Sequence, residues 1–280
     1  MLSDVLEYLI CPNCGAELSL SDGAVHCAEN HSFDVARQGY LNLTPGTMRA
    51  AVGDTAAMVE ARMRFLQRGH YSPLARSLSE AAARSARATT AGCVVDVGAG
   101  PGYYLAEVLA SLPRRFGLAL DASKYAMRRA ARSHERVGAV VCDAWRNLPV
   151  RTGAAAVALN IFAPRNAAEL HRLLSPGGRL VVVTPSENHL ESLVSTLDLL
   201  TVEEHKEQRL AERLGAHFTL ERRERLEFSM ALDHADVEAL VAMGPSAWHT
   251  DEGAIRGRIA GLPEPVAVPV AVAISVYQPR

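Results

Sequence analysis

From residue 93 to residue 183 the chain alternates short apolar, β-rich runs with helical patterns, and nothing else in it constrains the fold as strongly. The runs are CVVDV, FGLAL, VGAVVC, AAAVALNIF and RLVVV, with helices read after Gly102, after Ser123 and up to Leu174. Strand, helix, strand in repetition predicts a parallel sheet with crossovers, hence an α/β fold. Strands that are apolar almost throughout fit a sheet covered on both faces. The tail differs. FTLERRERLEFSM alternates in part, Asp233 opens a short helix, and PVAVAISVYQ reads as a last strand, so a strand pair is expected to close one edge. Upstream, one helix is expected over 55–68, opened by Asp54 and stopped at Gly69, and a second with Ser72 as cap and Pro73 in its first position. Further helices are expected over roughly 189–214. With 280 residues, 49% apolar and 21% charged, the chain has the length for one large core plus an appendage, and it is not disordered.

The first strand runs from Val94 through Asp96 into Gly98-Ala99-Gly100-Pro101-Gly102, with a helix beginning near Tyr103. Alternate glycines let a ligand approach the backbone, and the helix start can face an anionic carboxylate. A nicotinamide loop would carry G-x-G-x-x-G, which is absent. The D-x-G-x-G-x-G present here resembles the S-adenosylmethionine loop of class I methyltransferases. Two further acids strengthen that resemblance. Asp121 ends FGLAL, where a carboxylate can accept both ribose hydroxyls, and Asp143 ends VGAVVCD, where one can accept the adenine amino group. Either alone also reads as a helix cap or a solvated acid, but three acids in register on successive strand ends favour a ligand beyond the strands' carboxyl ends. The expected fold is therefore a class I S-adenosylmethionine-dependent methyltransferase, Rossmann-like, with a mixed seven-stranded sheet. Asn160-Ile161-Phe162-Ala163-Pro164 ends the fourth strand, where methyltransferases acting on nucleobase nitrogens carry an Asn/Asp-Pro-Pro-aromatic motif, degenerate here. Two readings stand: Phe162 stacks on a base held by Asn160, or this is an ordinary strand end with a core phenylalanine.

At the other end of the chain, Cys11-x2-Cys14-x12-Cys27-x3-His31 supplies four ligands of the kind tetrahedral zinc takes. Four protein ligands leave no place for water, so the site is structural. His26 rivals His31, but adjacent residues do not readily reach one metal, which favours His31. Cys93 and Cys142 sit in apolar runs and read as core residues. The division expected is 1–38 as a zinc-binding module, 39–90 as linker and helices, and 91–280 as the methyltransferase domain. Chelation is expected to unfold the first 40 residues and leave the larger domain folded.

Taken in order, C-P-x-C, the segment C-x3-H-S-F-D, Ala36-Arg37-Gln38-Gly39-Tyr40-Leu41-Asn42-Leu43, Gly69-His70-Tyr71, Gly102-Tyr103-Tyr104, Phe162-Ala163-Pro164 and Pro245-Ser246-Ala247-Trp248 are linked motifs spanning nearly the whole chain. In this set the sequence resembles the bacterial 23S rRNA (guanine-N1)-methyltransferases, and most closely the subgroup of macrolide producers. The resemblance implies methylation of a guanine in hairpin 35 of 23S rRNA, nucleotide 748 in that subgroup, with tylosin-type resistance, and a homodimer. It also implies that Tyr71, the loop at Gly100 and Pro101, and His189 contact the cofactor. Tyr71 equally reads as the start of the next helix's packing, and His189 as a surface histidine at a helix start.

Net charge is -2, so no global positive field attracts nucleic acid, and any RNA contact must be a local patch. Residues 1–34 carry six acids and no Lys or Arg, whereas residues 35–90 carry eight Arg against three acids. Arg37, Arg49, Arg62, Arg64 and Arg68 in that stretch are the candidate phosphate-binding surface. Guanine N1 is hidden in a duplex, so the target lies in a loop or is flipped out, with Phe162 or Trp248 as stacking partners. No residue declares itself as the base that takes the N1 proton. The sequence shows neither an export signal nor a long apolar run, so a cytoplasmic protein without membrane contact is expected. Two rival functions are a small-molecule methyltransferase of the quinone or natural-product type, which needs no zinc module, and a non-enzymatic zinc-bearing RNA adaptor, which would not keep the glycines and acids of the loop.

Overall fold

The computed structural model describes residues 2–45, 53–199, 212–244 and 252–280. A 3-10 turn, Ser3–Tyr8, leads into a small antiparallel sheet of β1 (Leu18–Ser21), β2 (Ala24–Cys27) and β3 (Ser32–Asp34). A two-residue strand, β4 (Leu41–Asn42), follows. The first long helix, α1 (Ala56–Gln67), is capped by Thr55, whose hydroxyl accepts from the Met58 N–H. Asp54, the expected cap, is instead engaged by Arg62. In α2 (Ser72–Ser85) the cap position belongs to Tyr71, so Ser72 is already helical and Pro73 lies in the first turn, where its missing N–H costs nothing.

The main sheet is built from β5 (Cys93–Val97), β6 (Gly117–Asp121), β7 (Val137–Val141), β8 (Ala155–Ile161), β9 (Leu174–Pro185), β10 (Phe218–Leu232) and β11 (Val266–Pro279). Its order is β10-β11-β9-β8-β5-β6-β7-β4. Strands β5 to β9 are parallel, while β11 runs antiparallel to both β9 and β10, the strand pair expected at one edge. Seven strands were expected and the sheet has eight, because β4 adds parallel to β7. Two residues carry no periodicity that would reveal such a strand.

Helices α3 (Tyr103–Ser111) and α4 (Lys124–Ala130) join β5 to β6 and β6 to β7, while α5 (Ala167–Leu173) precedes β9. Ser123 and Asn166 cap α4 and α5. After β9 come α6 (Glu191–Leu197), a helical turn at 212–215, α7 (His234–Ala242), capped by Asp233, and α8 (Glu252–Ala260). Residues 200–211, within the helical stretch expected over 189–214, lie outside the described residues, as do Arg49 and Trp248. No helix among the described residues is long and apolar enough to cross a membrane.

Helices α1 to α4 pack on one face of the sheet. The other face is covered differently, because residues 142–154 cross from β7 to β8 without a helix. The 3-10 turn takes up that space: Val5, Leu6 and Leu9 join Val95, Leu118, Val140, Leu148 and Val150 in one buried cluster, which also holds Cys11, Leu18, Val25 and Cys27. The seam is stitched by backbone bonds, Ile10 N–H to Pro149 O at 3.1 Å and Arg151 N–H to Tyr8 O at 2.8 Å. The cysteine-rich head therefore shares its core with the large sheet, which favours the two unfolding together over the head unfolding alone. Gly138 marks the closest approach, since a Cβ there would stand 2.3 Å from Val5 Cγ2. Gly138→Ala is accordingly expected to cost about 1–3 kcal/mol, read as a fall in thermal midpoint of several degrees; an unchanged melt would mean that the turn does not bear on the sheet.

Candidate functional site

The carboxyl ends of β5 and β6 meet at one cleft, where a reversal of strand order on either side of β5 opens space for a ligand. Gly98 has φ +81°, and a Cβ on it would lie 2.4 Å from Ala163 Cβ, so only glycine lets the loop after β8 close over the loop after β5. Pro101 and Gly102 then turn the chain into α3. Asp121, the last residue of β6, binds this loop directly: it accepts from the Gly100 N–H at 2.9 Å and from the Ser123 N–H at 2.8 Å. Burial raises its carboxyl pKa, and those two donors offset part of the rise. Each carboxylate oxygen keeps a further lone pair, enough for a pair of ribose hydroxyls.

Asp96 lies beneath this loop, 1% exposed, and neither of its oxygens has a hydrogen-bond partner among the described residues. Burial pushes its carboxyl up to about 8, with the Asp121 charge adding to the push. An unpaired carboxylate in such a place costs free energy unless a cation or donor completes it. The Tyr104 hydroxyl, also buried and without a partner there, is close enough to feel the Asp96 charge. A ligand with an ammonium group, a vicinal diol and a heterocycle, such as S-adenosylmethionine, fits these demands: Asp96 for the ammonium, Asp121 for the diol. Asp143 follows β7 and closes a turn on the Trp145 N–H at 2.9 Å, which leaves Trp145 61% exposed beside it. Asp96 is one of the three acids that the sequence places in register at strand ends, and its burial without a partner among the described residues singles it out; Trp145 carries no signal in the sequence.

Among the predicted residues, the structure brings Phe162 and His189 together, their rings stacked with centroids 5.8 Å apart. Phe162 is 41% exposed and held at φ +52°, a strained setting for a bulky residue and one that recurs at functional sites. The core reading of Phe162 is thereby set aside. Asn160 is different. It is fully buried, its amide donates to Val97 O at 3.2 Å and Pro164 O at 2.8 Å, and its oxygen accepts from Arg165 at 2.7 Å. With both ends committed it shapes the 160–165 loop and is not free to hold a base. Tyr71 is buried in the helical core, edge-on to Phe65 at 5.2 Å.

Arg62 also enters this region, from α1. It pairs with Asp54, donates to Met243 O at 2.7 Å, and its guanidinium lies over Gly100. Ser123 in turn donates to Asp54 O at 2.6 Å, so residues 54 and 62 wall the cleft. Arg68 bridges Asp233 and Asp236 at 2.9 and 3.0 Å, and His70 meets the same Asp236 at 2.8 Å. Arg62 and Arg68 are thus spent within the fold, which removes them from the expected phosphate-binding surface; Arg37 and Arg64 remain exposed.

In the head, one ligand atom from each of Cys11, Cys14, Cys27 and His31 lies within 4.8 Å of the others. Cys14 and Cys27 sulfurs are 3.7 Å apart, and His31 Nδ1 is 3.6 Å from Cys11 Sγ and 3.4 Å from Cys27 Sγ. A tetrahedron with bonds of about 2.3 Å to sulfur and about 2.0 Å to nitrogen has edges of about 3.8 and 3.5 Å. The donors therefore stand where zinc would place them. His26 precedes Cys27 on β2, so it faces the opposite side and takes no part.

The family model described as RlmA, N-terminal, a zinc ribbon, matches residues 9–50. The chain is 49% identical over 279 residues to the 23S rRNA (guanine(748)-N(1))-methyltransferase of Streptomyces fradiae, covering 100% of this chain and 99% of the relative. It is 47% identical over 296 residues to a putative 23S rRNA (guanine-N(1)-)-methyltransferase of Micromonospora griseorubida, covering 100% of both. Among solved structures, a putative methyltransferase from Bacillus halodurans aligns with a TM-score of 0.50 at 15% identity, over 71% of this chain and 97% of that one. That likeness bears on the fold of the large sheet.

Proposed function

We propose that this chain, which belongs to the 23S rRNA (guanine-N1)-methyltransferase family, transfers a methyl group from S-adenosylmethionine to N1 of guanine 748. The observation that supports the cofactor is the buried Asp96 carboxylate near the end of β5, without a partner among the described residues, next to a loop already organised by Asp121. Bound in the cleft, the cofactor supplies an electrophilic methyl on a sulfonium. The protein's task is then alignment, which alone lowers such a barrier substantially. Asp96 and Asp121 fix the two ends of the ligand, and the glycine loop lets the backbone approach it. Phe162, exposed at the mouth and braced by His189, offers a flat surface for a guanine turned out of its helix. Guanine N1 carries a proton at neutral pH, so an acceptor at N1 or a donor to O6 completes the reaction.

In this reading the guanine lies in hairpin 35, its methylation confers tylosin-type resistance, and the enzyme works as a homodimer. The test is incubation of unmodified 23S rRNA with radiolabelled cofactor, followed by primer extension, which halts at N1-methylguanine. A stop at nucleotide 748, and a dimer by sedimentation, are expected. Label in a small molecule, or at another atom or nucleotide, would refute the assignment.

A further inference from the structure

Resting on that reading, we infer that the RNA strand beside the target guanine docks in the groove between α1 and α4, its phosphates held by Arg128 and Arg132 and a base stacked on Tyr125. The argument begins with what is excluded. The head is acidic, with six carboxylates and no Lys or Arg in residues 1–34, so it repels a polyanion. Arg62 and Arg68 are consumed by Asp54, Asp233 and Asp236. Arg84 is taken by Glu224 and Glu80. Cations remain concentrated elsewhere, in the segment Lys124-Tyr125-Ala126-Met127-Arg128-Arg129 and the turn carrying Arg132.

Of these, Tyr125, Arg128, Arg129 and Arg132 line a groove of about 560 Å³ whose opposite wall is α1. Its two acids are Glu60, neutralised by Arg129 at 2.7 Å, and Glu107. Arg128 and Arg132 are exposed and make no ion pair among the described residues. They stand four residues apart on one rim, Arg128 in α4 and Arg132 in the turn that follows it. Tyr125 is 42% exposed with Lys124 over its ring at 5.3 Å, and its face suits a base of any identity. Position supports the same occupant. Pro101 of the cofactor loop lines the groove, and α4 starts three residues after Asp121, so a strand lying here has a nucleotide within reach of the cleft.

The test compares the wild-type protein with Arg128→Glu/Arg132→Glu, Arg128→Lys/Arg132→Lys and Tyr125→Ala, using a transcript of the hairpin that carries guanine 748. Filter binding is read from low to moderate salt, and cofactor binding by calorimetry. The reversed pair is expected to bind the transcript about tenfold or more weakly, with the log–log salt slope reduced by about 1.4, as loss of two single-strand phosphate contacts requires. The lysine pair should keep the slope, Tyr125→Ala should weaken binding with the slope unchanged, and cofactor affinity should be the same throughout. If the reversed pair does not fold by circular dichroism, Arg128→Gln/Arg132→Gln takes its place. Wild-type labelling of the transcript together with an unaltered slope in the reversed pair overturns the groove and leaves the proposed function standing. Failure of the wild-type protein to label the transcript overturns the proposed function itself. An unaltered slope with conversion of dimers to monomers would make the groove a contact between copies, also against the inference.

Discussion

Asp96→Asn is expected to weaken S-adenosylmethionine binding about 10- to 100-fold, the usual worth of a charge-assisted hydrogen bond lost from a buried site, while making the empty protein more stable. Both effects come from one carboxyl. In the folded empty protein it titrates near 8, whereas unfolded it titrates near its ordinary value of about 4. Between those limits the folded state holds the proton that the unfolded state has released, so stability falls as pH rises through this window and is lowest above 8. A neutral amide of the same shape removes that loss. Melts at pH 9 should therefore show the variant several degrees above wild type, and melts at pH 5 should show little difference.

Cofactor affinity runs the opposite way. An ammonium ligand favours the ionised carboxyl, so wild-type affinity should rise with pH up to about 8 and then level, and the variant should lose this dependence. Calorimetry with S-adenosylhomocysteine and with 5'-methylthioadenosine, which lacks the amino-acid end, isolates the contact. The preference for the former should nearly vanish in Asp96→Asn. Equal affinities in variant and wild type across this range would dismiss the assignment of Asp96.

Removing the metal is expected to have the larger effect on stability. Structural zinc contributes an apparent 10–16 kcal/mol, about as much as the stability of a whole domain. Because Cys11 and Cys27 lie in the same buried cluster as Val95, Leu118 and Val140, loss of the head strips cover from the β5–β7 face of the sheet. Chelation should then lower a single thermal transition by tens of degrees, with far-ultraviolet and near-ultraviolet signals failing together. Exchange of amide hydrogens should rise in β6 and β7 as well as in β1 to β3. Two separate transitions, the upper one unmoved by chelator, would show that the sheet holds without its cover.

Much of this architecture is readable from neighbouring residues alone. Apolar runs set the parallel strands, the alternate glycines and the acids at strand ends set the cleft, and the intervals between Cys11, Cys14, Cys27 and His31 set the metal site, because each is a local pattern. What escaped the sequence depends on distant partners. Arg62 meets a carbonyl 181 positions away and Arg68 an acid 168 positions away, so both read as free surface charge until the fold is seen. Asn160 looked like a recognition residue because its chemistry fits, but the backbone uses its amide first. Thr55 and Asp54 are adjacent and equally able to cap a helix; the choice falls to Thr55 once Arg62 claims Asp54. That the head packs where residues 142–154 cross without a helix is equally a matter of distant partners.

The outer margin of the sheet carries one more consequence. β10 is an edge strand of 15 residues, long enough to recruit a strand from another molecule by backbone pairing. Its middle reads Arg222-Arg223-Glu224-Arg225-Leu226-Glu227, so a newcomer would have to bring its own side chains alongside this crowded row of ions and strip them of water. Such a margin discourages fibril-like stacking while leaving β11, shielded between β10 and β9, free to be almost wholly apolar. The charged strand thus lets a very greasy neighbour sit beside it without being offered to another sheet.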